Sequence, residues 1–169
     1  MIEEFWPWFF ARDGRKTGWR LIGIRWLFLD CIAAGLLTFS LNADGFIFAE
    51  KALFPAASIL MGMAVAWTGQ ASAIVSSEKF HEKIISQDRR LEDYLYGYQM
   101  SILILFMTIG YMAIMAAGGF KFYIYDPTIS KICSSFFMFF LVSISTRECW
   151  SIINFTNLLS LLDGLIKKK

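Results

Sequence analysis

Apolar residues in this chain gather in four long runs, and short segments between them hold most of the charge. A helix rises about 1.5 Å per residue, so about 20 apolar residues cross a hydrocarbon core about 30 Å thick. The runs at 21–41, 52–77, 94–120 and 132–162 reach that length. They predict an all-α integral membrane protein with four transmembrane helices. The second and third runs carry no charged residue; Arg25 and Asp30 interrupt the first, and Arg147 and Glu148 the fourth. A transmembrane strand would be shorter and would alternate apolar with polar positions, a pattern absent here. The first run reads as a retained anchor, because Asp30 sits in its middle and no small-residue cleavage motif follows it.

The charged segments orient the spans. Lys and Arg accumulate on the cytoplasmic side of a membrane. Twelve of the sixteen basic residues fall in three segments: before or early in the first run, between the second and third, and after the fourth. Four crossings with both termini cytoplasmic satisfy that distribution. Composition agrees: 57% of the 169 residues are hydrophobic and 18% charged, against about 45–50% and about 25% in a soluble domain. A net charge of +2 gives no ground for expecting direct DNA binding.

The expected organisation is an interfacial aromatic and basic segment at 1–20, a four-helix membrane domain at 21–165 and a basic tail at 166–169. Residues 78–93 are expected to form a cytoplasmic helical hairpin between the second and third spans. Phe80, Ile84, Leu91 and Leu95 recur there at helix-like spacing among charges, which suits a docking face for a soluble protein or for neighbouring subunits; a plain solvated connector fits equally. At 1–20, Phe5, Trp6, Trp8, Phe9 and Phe10 surround Pro7 ahead of basic residues, as in a headgroup-anchoring belt. The lysines at 167–169 could meet anionic lipid or a nucleotide-type ligand.

Two patterns within the spans carry the functional expectation. Ser58, Gly62, Ala66, Gly69 and Ala73 trace one face of the second helix, and small residues let membrane helices pack closely. That contact could lie within a subunit or between subunits. Gln70 beside the stripe requires a hydrogen-bond partner or water. Span three repeats the theme with Gly110, Ala113 and Ala117.

Ionisable groups inside a membrane are costly and stand as functional candidates. Asp30 lies about 13 Å into the first span at about 1.5 Å per residue, and Arg147 in the inner half of the fourth can reach that level. Arg25 and Glu148 sit at shallower, similar depths. These four could be two pairs locking span one to span four, or could line an aqueous path. Ser143, Arg147, Ser151 and Asn154, flanked by Thr146 and Asn157, form a polar face opposite Phe136, Phe139, Phe140, Ile144 and Trp150. A protomer this small encloses little space, so a path would lie on an oligomer axis; the same face also suits an intersubunit seam.

In overall organisation the chain resembles the small four-span membrane subunits of bacterial antiviral systems, such as the Hailong channel subunit and the Kiwa membrane subunit. The resemblance is architectural and carries no diagnostic motif. It implies an oligomeric membrane effector or sensor of the bacterial inner membrane, partnered with a soluble protein and controlled during infection; a pore would call for a homo-oligomer of four or more subunits. The small multidrug resistance transporters also have four spans and a carboxylate in the first, here Asp30 instead of glutamate. Three functions are therefore expected in order: a ligand- or partner-gated channel or pore-forming effector, a non-conducting anchor or sensor that recruits a soluble partner, and a proton-coupled transporter using Asp30. No enzyme and no cofactor are expected. One histidine, His81, and three scattered cysteines make no metal motif, and Gly118–Gly119 reads as the end of span three, not a phosphate loop.

Overall fold

The computed structural model describes residues 6, 23–41, 43–75, 91–119 and 126–167. Among them no strand occurs, and four helices follow one another: α1, Ile24–Gly35; α2, Gly45–Val75; α3, Leu91–Ala116; and α4, Pro127–Lys167. Among the described residues three segments are long and apolar enough to cross a membrane: Gly45–Ala66 in α2, Gln99–Ala116 in α3 and Pro127–Asn154 in α4. Bulky apolar side chains such as Phe54, Val65, Phe106 and Trp150 stand exposed on them, as befits helices whose solvent is lipid. This is the make-up of a membrane-embedded protein.

Local chemistry sets the helix ends. Asp44 caps α2: its Oδ1 accepts the Phe46 backbone N–H at 2.9 Å, and its carbonyl accepts Phe48 N–H at 3.0 Å. The cap lets α2 begin at Gly45, seven residues before the apolar run at 52–77, and carries the charged pair Glu50–Lys51 into the helix. Pro127 occupies the first position of α4, where its fixed φ and missing N–H suit the first turn. From there α4 runs unbroken for 41 residues, about twice the number that crosses a hydrocarbon core. At the end of α3, Gly118 N–H donates to Met115 O at 3.0 Å and Gly119 N–H to Ile114 O at 2.8 Å. Both glycines have positive φ, 98° and 77°. That is a Schellman closure, which favours glycine because a Cβ disfavours the left-handed region.

The chain forms two compact units. The first comprises Gly23–Met61 and Leu103–Arg147. Its core joins Ala34, Ala49, Met112, Met115, Met138 and Phe139, with Leu37, Leu53, Tyr111, Phe136 and Phe140 packed around it. Close backbone approach makes this core tight. A Cβ on Gly45 would come within 2.8 Å of the Ser135 Cα, and one on Gly119 within 2.7 Å of the Phe46 ring. Polar side chains then tie α3 to α4. Thr108 Oγ1 and Ser145 Oγ share a hydrogen bond of 2.6 Å, and Tyr111 Oη donates to Ser134 O at 3.3 Å. Such bonds are effective between membrane helices because lipid offers no competing partner. The second unit comprises Met1–Ile22, Gly62–Ile102 and Glu148–Lys169. It buries Ala64, Tyr96, Ser101, Cys149 and Ile152.

Candidate functional site

Asp30 and Ala34 on α1, and Thr38 in the turn Leu36–Ser40 that continues it, are buried and spaced four residues apart. Asp30 is 5% exposed, so its carboxylate requires compensation from neighbouring helices. α4 supplies it with two residues one turn apart. Ser143 Oγ donates to Asp30 Oδ1 at 2.8 Å, and Arg147 Nη1 lies 2.7 Å from Asp30 Oδ2. The second contact is an ion pair by distance, without hydrogen-bond alignment at those two atoms. Arg147 is the more exposed partner, at 20% of its side chain against 7% for Asp30. A serine and an arginine at i and i+4 share one helix face, so α4 meets the carboxylate with a neutral donor and a cation together.

In the other unit, Glu148 turns to a different partner. Ser101 Oγ lies 3.0 Å from Glu148 Oε2 and donates towards it, and it also lies 3.2 Å from its own helix carbonyl at Gly97. Arg25 is exposed on α1. The remainder of the polar face on α4 is open: Thr146, Ser151, Asn154 and Asn157 are exposed. The side of α4 opposite that stripe is the buried one, at Met138, Ser145, Cys149 and Ile152; Phe136, Phe139, Phe140 and the exposed Trp150, expected opposite the polar residues, lie on their side of the helix instead, because spacings of 3, 4, 7 and 11 residues return to one face.

The small residues of α2 behave differently from their spacing. Ser58, Gly62, Ala66 and Gly69 are exposed, and a Cβ on Gly62 or Gly69 would meet nothing within 4 Å. Gly110 on α3 is equally open. The side chains of Gln70, Ala73, Leu91 and Leu95, and all of Phe80, Ile84, His81 and the N-terminal aromatic cluster except Trp6, lie outside the described residues.

A second polar cluster, at the start of α2, has no counterpart among the sequence candidates. Lys131 Nζ donates to Asp44 Oδ2 at 2.6 Å and lies 5.8 Å from the centre of the Phe46 ring. The Lys131 ammonium, helped by the Phe46 N–H, holds the Asp44 carboxyl below its ordinary pKa of 3.8 against the opposing effect of burial. Gly45 N–H donates to the buried Ser135 Oγ at 3.2 Å. The signal was present as Asp44-Gly45 ahead of an apolar run, the pattern of a helix start. Nothing in the sequence pointed to Lys131 as its partner. Among the described residues no group of His, Cys, Asp or Glu could hold a metal ion.

Comparison with protein-family models, with curated proteins and with solved structures finds no match.

Proposed function

We infer that this chain is a homo-oligomeric membrane channel or pore-forming effector of the bacterial inner membrane. In this reading α1 is a fourth crossing and both termini are cytoplasmic. Support for the fourth crossing comes from the charge distribution and from the length of the first helical stretch. Ile24–Gly35 and the turn Leu36–Ser40 that continues it have 12 and 5 residues, or roughly 25 Å at helical rise.

The observation that carries the channel reading is the exposed polar face of α4. Ser151 and Asn154 stand exposed at the inner end of an apolar span, with Asn157 beyond them. A carboxamide facing hydrocarbon is unfavourable unless water or another polar group meets it. Copies of α4 arranged around an axis would give those side chains a shared aqueous path. Asp30 neutralises Arg147, which leaves that face uncharged, lined by hydroxyls and amides. The segment at 78–93 and the basic tail would connect the path to a cytoplasmic ligand or soluble partner. The architectural resemblance supports placing such an effector in antiviral defence.

The test is ion flux from liposomes that hold the purified protein, paired with growth of cells that express it. Flux and toxicity should fall together in Ser151→Leu and Asn154→Leu, which change only exposed positions. Absence of flux under every voltage and trigger tried, with toxicity unaltered by both substitutions, would remove the channel reading.

A further inference from the structure

The charges of Asp30 and Arg147 cancel in sum but not in direction. Asp30 is 5% exposed, and α1 carries it inward onto α4. Its Oδ2 and the Arg147 Nη1 that meets it are both buried. Arg147 still keeps 20% of its side chain exposed. That part lies away from the contact, so the cation and not the carboxylate is the charge that solvent meets.

Helix spacing places this cation on the polar stripe of α4. Ser143, Arg147, Ser151 and Asn154 follow one another at 4, 4 and 3 residues, which returns to one face. Arg147 is the only charged residue in that series. Ser143 turns its hydroxyl hydrogen to Asp30 Oδ1 at 2.8 Å, while Ser151 and Asn154 are exposed. Glu148 stands off the stripe. It is one residue on, about 100° around the helix, and it accepts from the buried Ser101 Oγ at 3.0 Å. The stripe therefore presents one cation among hydroxyl and amide groups that donate as well as accept, and no carboxylate.

Pores that sort ions by side-chain charge use rings of Asp or Glu for cations and rings of Arg or Lys for anions. Around an oligomer axis every copy would add one guanidinium at the same level. An ion on the exposed side of Arg147 stands nearer to that cation than to the Asp30 carboxylate, and little water is present to screen the difference. Asp30 also tempers the cation. Conduction needs binding weak enough for the ion to leave, and a paired guanidinium holds an anion less tightly than a bare one.

We propose that the path along α4 passes small inorganic anions such as chloride, and that Arg147 sets this preference. The proposal rests on the channel reading and names the ion class that the path carries. Ser151 and Asn154 supply neutral donors beside the cation.

The reversal potential of the full chain in planar bilayers, under a potassium chloride gradient, tests the preference. The parent should pass chloride over potassium at least fivefold. Ser151→Asp changes an exposed position one turn from Arg147, outside the buried pair, and should bring that ratio to one or below. Ser151→Asn should leave it unchanged. Asp30→Asn should raise the ratio and Arg147→Gln lower it, opposite shifts that loosened packing alone would not produce. A current that prefers potassium overturns the proposal and leaves the channel reading standing. A chloride preference that neither Ser151→Asp nor Arg147→Gln reduces overturns the role given to this stripe. No current under any voltage or trigger removes the channel reading and the proposal together. Ser151→Asp decides the question even where variants of the buried pair do not fold.

Discussion

Removing the Arg147 guanidinium should expose how much of this fold depends on the Asp30 ion pair. At 2.7 Å, an effective dielectric of about 20 gives an attraction of about 6 kcal/mol, before the desolvation that opposes it. Breaking a buried pair from one side typically costs about 3–5 kcal/mol, because a buried charge is left behind. In Arg147→Leu that charge is Asp30, which retains only the Ser143 hydroxyl. A loss of about 3 kcal/mol is expected. Asp30→Leu should cost less, about 1–2 kcal/mol, because the partly exposed arginine can turn its long side chain towards the interface. The double variant replaces both charges with apolar groups and should return to within about 1 kcal/mol of the parent. Steric trapping in lipid bicelles measures all four stabilities. An Arg147→Leu loss below about 1 kcal/mol, or a double variant equal to the sum of the singles, would refute the coupling.

Other parts of the structure give independent expectations. Gly119→Ala places a methyl 2.7 Å from the Phe46 ring at a φ of +77°, so it should lower unfolding stability by about 1–3 kcal/mol, whereas Gly110→Ala, in open space, should not. Thr108→Val leaves the fully buried Ser145 hydroxyl without its side-chain partner and should cost about 1–3 kcal/mol. Adding Ser145→Ala should recover part of that loss, seen in the same unfolding assay. Asp44→Ala removes both the cap of α2 and the bond to Lys131, with an expected cost of about 1 kcal/mol. Its pH dependence is set by the lowered pKa: the unfolded state protonates first as pH falls. The Asp44 contribution is therefore full above the ordinary carboxylate range near pH 4 and is lost below it. Stability of the parent minus that of Asp44→Ala should be flat from pH 5 to 7 and shrink below about pH 4; an unchanged difference at pH 3 would contradict the assignment.

Charge inside apolar runs was the most legible feature of the sequence. Asp30 and Arg147 were conspicuous because lipid tolerates few ionisable groups, and the structure brings them to 2.7 Å. The body of α4 was legible as well, through the apolar run at 132–162, although the helix begins earlier, at Pro127, and ends later, at Lys167. The helix starts were not. An apolar-run criterion stops at Glu50–Lys51 and misses the cap at Asp44, so α2 begins earlier than its apolar composition indicates. Small residues revealed a capacity for close packing but not its location. Gly62 and Gly69 stand in open space, while the tight approaches occur at Gly45 on Ser135 and Gly119 beneath Phe46. Which glycine is crowded depends on which helices meet, and no spacing within one helix encodes that.

The central claim is that copies of this chain surround a shared polar path lined by α4, and the number of subunits tests it most directly. Native mass spectrometry of the protein released from lipid nanodiscs should find a closed assembly of four or more copies, which dissociates in Asn154→Leu. A monomer in lipid without that substitution, or an assembly that Asn154→Leu leaves intact, would contradict the account.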